Sequence, residues 1–299
     1  MTANTCAHCG RQCGDPAGGW GRLGQGQPVC HPNSPDRPDC FVLVTRGEET
    51  LGSRLTEVRS DSVLLSGIVG STAYGLALPG SDVDQLGVYA TPTIAFHGLN
   101  PPVGKNASRV TTGATEDITL HEAGKYAALV LQMNPTVTEL LWLDDYETRT
   151  PLGDQLLELR GAFLSAKAVR SAYLGYAASQ FHRLEARGDG SFSADTRKRT
   201  AKHARHLARL IHQGLELYRT GSLTIRLADP DWYHAFGEQV ANGDLGATQT
   251  LLVRAEADFD ATRTPLPDHP DRAAVEAWLH DVRAAHYTPP RPTVETRTS

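Results

Sequence analysis

Two short stretches of this sequence carry residue types that could do chemistry together: Gly70-Ser71 and, eleven residues after Ser71, Asp82-Val83-Asp84. Alternate side chains of an extended strand share a face, which sets Asp82 and Asp84 side by side, about 6–7 Å apart along the chain. Two carboxylates on one face suit a hard cation. Mg2+ takes oxygen ligands, keeps several waters and is typically held by one or two carboxylates together with substrate phosphates. A Gly-Ser turn between a strand and a helix offers backbone N–H groups and a hydroxyl to a phosphate tail. A third carboxylate would complete a two-metal arrangement, one ion activating the attacking oxygen and the other steadying the leaving pyrophosphate. Asp117, opening D-I-T-L-H, is the candidate; Glu116 is the competitor, but its side chain would take the opposite face, so the two cannot both serve. His121 shares a face with Asp117 and Thr119 and is read as structural rather than as a general base.

Elements must hold these residues in place. From Val63 to Ala90 the text reads as an apolar strand, a glycine-rich turn, a small-residue helix start, a turn at Pro79-Gly80 and an alternating strand. Residues 91–115, with their Pro, Gly, Asn and Thr, read as an irregular loop. D-I-T-L-H reads as a strand at an edge that lines a cleft. An apolar helix then runs from Glu122 to Met133, stops at Asn134-Pro135, and a second continues through Leu143. Asn134 and Glu139 are read as capping and orienting helices, Tyr74 as packing. Beyond Pro151 the spacing turns helical, with helices expected near 154–186, 231–258 and 271–286, and one apolar face through Leu207, Leu210, Ile211, Leu215 and Tyr218. Beside that face Lys202, His206, Arg209 and Gln213 fall on one stripe of a segment that carries no acid between Arg197 and Arg209. Lys202, His206 and Arg209 are the candidates to reach a triphosphate or an RNA backbone.

The whole chain sets the limits. Its 299 residues and 40% hydrophobic content can supply real cores, and a net charge of -5 argues against coating nucleic acid by bulk electrostatics. No apolar run approaches the roughly 18 residues that span a bilayer, and M-T-A-N-T-C-A-H-C-G has neither the basic nor the apolar region of a secretory signal; a soluble, cytoplasmic protein without membrane contact is expected. All five cysteines lie in the first 40 residues, an odd number that disfavours a disulfide framework. Cys6-x2-Cys9 with Cys30 and Cys40 would make a closed structural Zn2+ site, with His8, Cys13 and His31 as alternative ligands. The G-G-W-G-R-L-G-Q-G-Q stretch suits the turn of a two-stranded ribbon.

G-S-T-A-Y-G-L-A-L-P-G-S-D-V-D-Q-L-G-V-Y resembles the G-S…D-x-D signature of the DNA polymerase beta-like nucleotidyltransferase superfamily. It is closest to the predicted nucleotidyltransferases associated with RNA ligases, the RlaP or YcgL family. Three pieces carry that narrower likeness: the G-S-T-A-Y-G to S-D-V-D stretch; the strand aspartate followed by a helix and N-P-T-V-T-E-L-L-W (134–142); and K-H-A-R-H-L-A-R-L (202–210) with T-G-S-L (220–223). The first 40 residues resemble a small zinc-ribbon module. The resemblance implies phosphate contact at Gly70 and Ser71, and Mg2+, as two ions, at Asp82, Asp84 and Asp117. Thr72 stands where relatives often carry a basic residue, a charge that Lys or Arg of the helical lobe could supply. The expected layout is a zinc-ribbon-like module (1–45), an α/β (α+β) nucleotidyltransferase core with a short mixed sheet (46–150), a helical domain (151–288) and a disordered tail (289–299). The expected activity is that of a nucleotidyltransferase of the 2.7.7 class, moving an NMP from an NTP to an RNA hydroxyl in the company of an RNA ligase. Nucleotidylation of a protein or small molecule, and a non-catalytic nucleotide- or nucleic-acid-binding role, are the rival readings.

Overall fold

The computed structural model describes residues 20–22, 28–30, 62–185 and 194–288. The chain divides into two units, Met1–Val58 and Arg59–Ser299. In the first, β1 (Trp20–Arg22) pairs antiparallel with β2 (Pro28–Cys30), in register Trp20↔Cys30. The two strands flank the glycine-rich stretch where a ribbon turn is expected. The expected zinc ligands Cys6, Cys9 and Cys40, the side chain of Cys30, the alternatives His8, Cys13 and His31, and the expected strand F-V-L-V-T lie outside the described residues.

The second unit is built on a five-stranded mixed sheet in the order β5-β6-β4-β3-β7. β3 (Val63–Val69) is antiparallel to both β4 (Val83–Tyr89) and β7 (Thr148–Arg149). β4 runs parallel to β6 (Glu116–Glu122), and β5 (Ser108–Thr112) covers β6 antiparallel. Two expectations are corrected here. Residues 91–115 are not an irregular loop, since they form two 3-10 turns (Thr93–His97 and Gly104–Ala107) and then β5. For the same reason β6 is not the sheet edge: Ser108–Thr112 is too polar to read as a strand by alternation, yet it supplies the outer ladder.

Helices follow, most with the cap their sequence provides. α1 (Gly70–Tyr74) leaves β3 directly. α2 (Ala123–Leu131) is capped by the Glu122 carboxylate, and α3 (Pro135–Thr138) by Asn134, with Pro135 in the first turn where its missing N–H costs nothing. Glu139–Trp142 continues as a 3-10 turn. α4 (Pro151–Glu158) starts on Thr150. α5 (Ala166–Glu185) and α6 (Ala194–Thr220) pack along each other. α7 (Pro230–Ala241), α8 (Leu245–Ala261) and α9 (Arg272–Ala285) start on Asp229, Asp244 and Asp271. The helix expected over 154–186 is therefore interrupted by a 3-10 turn at Leu159–Phe163, and that over 231–258 by Asn242-Gly243, with Gly243 at φ 112°. One apolar core runs from Leu65 and Val88 on the sheet through Tyr126, Leu141, Leu156 and Tyr173 to Leu207 and Trp278, with no break near residue 150. Among the described residues no helix is long and apolar enough to cross a membrane.

Candidate nucleotidyl-transfer site

The carboxylates gather because of strand register. Val69, the last residue of β3, pairs with Asp84, and Asp84 is level with Asp117 on the neighbouring parallel strand. Level residues of adjacent strands share a face, so the two carboxylates stand side by side one inter-strand spacing, about 4.8 Å, apart at their backbones. The Val83 N–H bonds Thr115 O at 2.9 Å, just after Asp82, and the charge of Asp82 reaches Asp84. Glu116 is level with Val83, on the opposite face from Asp117. Asp82 is exposed; Asp84 and Asp117 are half-buried. Burial raises the Asp84 carboxyl above its ordinary value, Lys202 opposes that, and Asp117 and Asp82 push it further up. All three charges are thus felt at Asp84.

Gly70 fits against this carboxylate. It takes φ 67°, a left-handed conformation that side chains rarely adopt, and a Cβ there would run into the Asp84 carboxylate, with Cγ only 3.1 Å away. No side chain caps the first turn of α1. Burial raises the carboxyl of Glu139, behind this turn, and Arg209, the Tyr74 hydroxyl and the Gly70 backbone oppose that. Gly70 and Ser71 remain the expected phosphate contacts.

α6 divides the expected basic stripe in two. Lys202 is exposed and within electrostatic reach of Asp84. His206 is half-buried and Arg209 is 1% exposed. Arg209 Nη1 donates to Gln213 Oε1 (2.5 Å) and lies 3.7 Å from Glu139 Oε2; its Nη2 meets His206 Nδ1 at 3.0 Å, and its guanidinium covers the Tyr74 ring at 4.1 Å. Burial first, then Arg209, lowers His206 to about 3, so it is neutral at physiological pH. Of the expected phosphate ligands, Lys202 is exposed, Arg209 is enclosed, and His206 is half-buried and uncharged. His121, read as structural, is lowered to about 4 by burial and then Lys125, and its Nδ1 meets Ser108 Oγ at 2.7 Å. Asn134 caps α3 as expected. Glu139 does not cap: its fully buried carboxylate accepts from the Tyr74 hydroxyl. The signal for it was an acid inside the apolar run V-T-E-L-L-W, where a charge is buried only with partners.

Among the described residues no three His, Cys, Asp or Glu side chains stand together as a ready metal cage. The donor chemistry nevertheless fits Mg2+, which needs only one or two carboxylates beside substrate phosphates. The upward pressure of Asp82 and Asp117 on Asp84 is repulsion that a divalent cation would relieve.

Comparison with known proteins bears on this arrangement. A search of curated proteins gives no match. Among solved structures the chain is similar to a nucleotidyltransferase-like protein from Exiguobacterium sibiricum 255-15, at 13% identity over 79% of this chain and 78% of that one. The TM-score is 0.28, too faint a likeness to carry an argument. Residues 48–265 match the family model described as "RlaP: RNA repair pathway DNA polymerase beta family", a span that contains the Gly-Ser turn, all three aspartates, Glu139 and α6. With the greater part of its length inside that match, the chain belongs to the RlaP family of DNA polymerase beta-like proteins of RNA repair.

Proposed function

We propose that this protein is a metal-dependent nucleotidyltransferase that moves an NMP from an NTP to a hydroxyl of RNA and releases pyrophosphate. The observation that carries the reading is the register that sets Asp84 level with Asp117 and beside Gly70, with the charge of Asp82 within reach. Asp82, Asp84 and Asp117 would hold Mg2+, which when bound supplies charge neutralisation at the phosphates and a Lewis acid for the attacking oxygen. The chain's own residues do the positioning. The Ser71 hydroxyl and the uncapped first turn of α1 orient the triphosphate, and Lys202 adds the positive charge that Thr72 does not provide. The acceptor hydroxyl then attacks the α-phosphorus in line as the bond to pyrophosphate breaks, a reaction in which placement and electrostatics contribute most of the rate. RNA as the acceptor class rests on the family's RNA repair context, and an RNA ligase acting on the same ends is the matching partner.

Transfer of label from α-labelled NTPs to RNA, compared between wild type and the Asp82→Ala/Asp84→Ala double variant, tests the proposal. Labelling should require Mg2+ and fall to background in the variant. Equal labelling would exclude the site, label removed by protease but not RNase would reassign the acceptor to protein, and NTP binding without transfer would leave a binding protein.

A further inference from the structure

The three sequence pieces that mark the family meet underground. Glu139, from N-P-T-V-T-E-L-L-W, accepts from the Tyr74 hydroxyl of G-S-T-A-Y-G. Arg209, from K-H-A-R-H-L-A-R-L, pairs with Glu139 and stacks on Tyr74. Gln213, one turn on, accepts from Arg209 and donates to the carbonyls of Thr224 (3.1 Å) and Ile225 (3.4 Å), just after T-G-S-L.

The cluster is a costly way to fill space. Glu139 is 2% and Arg209 1% exposed, and Arg209 Nε and the Tyr173 hydroxyl are buried without a hydrogen-bond partner. Buried ion pairs are seldom better for stability than apolar side chains of the same volume. Its placement explains it better. α1 lies between two carboxylates, Asp84 against Gly70 at its start and Glu139 on the Tyr74 hydroxyl at its end, and Glu139 also feels the charge of Asp84.

We infer that Glu139 is a positioning residue: through the Tyr74 hydroxyl it holds the short helix α1 from behind, and so fixes Gly70, against which the Asp84 carboxylate stands. Arg209, 3.7 Å from Glu139 and stacked on Tyr74, steadies that pair. The inference rests on the proposed transfer activity for its kinetic reading, and it has a second reading that does not depend on activity.

The test uses the full chain with Glu139→Gln, Tyr74→Phe and a matched control, Glu122→Gln. Glu122 is also 2% exposed and ion-paired, to Arg283, but sits at the far end of β6 from Asp117. Transfer from an α-labelled NTP and amide hydrogen exchange across residues 70–74 are measured on each, at a temperature where all remain folded. For Glu139→Gln, kcat/KM for the NTP should fall about a hundredfold, as for a misplacement near 1 Å. Exchange at 70–74 should rise at least about tenfold as the turn loosens. Tyr74→Phe, which removes the donor from the turn side, should move both readings in the same direction. Glu122→Gln should melt earlier yet keep transfer within about twofold and leave exchange at 70–74 unchanged. Wild-type protection at 70–74 in Glu139→Gln, or an equal loss of transfer in Glu122→Gln, overturns the inference. If Glu139→Gln does not fold, Tyr74→Phe with unchanged protection and transfer overturns it. Wild type that transfers no label refutes the proposed function instead, and the exchange reading still decides this one.

Discussion

Asp84 is where the chemistry and the backbone constrain each other most tightly. Its neighbour Gly70 has no room for a methyl group and stands at positive φ, so Gly70→Ala should cost about 1–2 kcal/mol in backbone conformation. It should also abolish label transfer by displacing the carboxylate, a loss that thermal melting combined with the transfer assay separates from unfolding. Two histidines set a pH dependence. His206 (about 3) and His121 (about 4) both hold protons more weakly in the folded chain than at the ordinary 6.5. Between pH 6.5 and those values the unfolded chain takes up protons that the folded chain refuses, so stability falls as pH drops through that window. The His206→Gln/His121→Asn double variant should show a shallower decline of Tm from pH 6.5 to about 4; an unchanged slope would count against the burial of these rings. At this scale the sequence was informative where a residue's spacing alone implies its use. D-V-D with a later strand aspartate marks two carboxylates, Asp84 and Asp117, that the strand register does bring level. The pairing of Arg209 with Glu139 was not legible, because a charge on the edge of an apolar face looks the same whether its partner is a ligand or a buried side chain from a segment 70 residues away.

Elements decide which of these side chains meet. β4 and β6 were legible from their alternation, but their parallel pairing was not, because only the return of the chain through β5 aligns Asp84 with Asp117. α6 was legible from its 3.6-residue period, although the period does not say how deep each side of the stripe lies. Depth is set by packing against α5, where a Cβ at Gly214 would lie 2.6 Å from Tyr173 Cβ. Gly214→Ala should gain up to about 1 kcal/mol in helix propensity and lose about 1–3 kcal/mol to overpacking, so a net loss is expected in urea unfolding. Lys202 is the exposed residue of the α6 stripe whose charge is felt at Asp84. Lys202→Gln should leave the urea midpoint unchanged while raising KM for the NTP about tenfold, the effect of losing one charge-assisted contact.

Across the whole molecule, the last described helix closes the sheet. Glu122 ends β6, caps α2, and is held by Arg283 of α9 at 2.6 and 3.0 Å, while Arg283 covers the Phe96 ring at 4.2 Å. Trp278 Nε1 donates to Leu152 O, and Thr93 N–H to His286 O, on either side of this pair. Arg283→Ala leaves a buried carboxylate unpaired and should cost about 3–5 kcal/mol in urea unfolding, with transfer retained below the new midpoint. The amphipathic period over 271–286 made the helix readable; its clamp on Glu122 was not, since the partners are 161 positions apart. That distance gives the protein a timetable during its synthesis. On the ribosome the Glu122 end of β6 is made long before Arg283, so the strand waits with an unneutralised charge until α9 emerges. A message cut short before that arginine yields a polypeptide that holds every aspartate of the cleft yet is poorly folded, and cellular proteases would remove it.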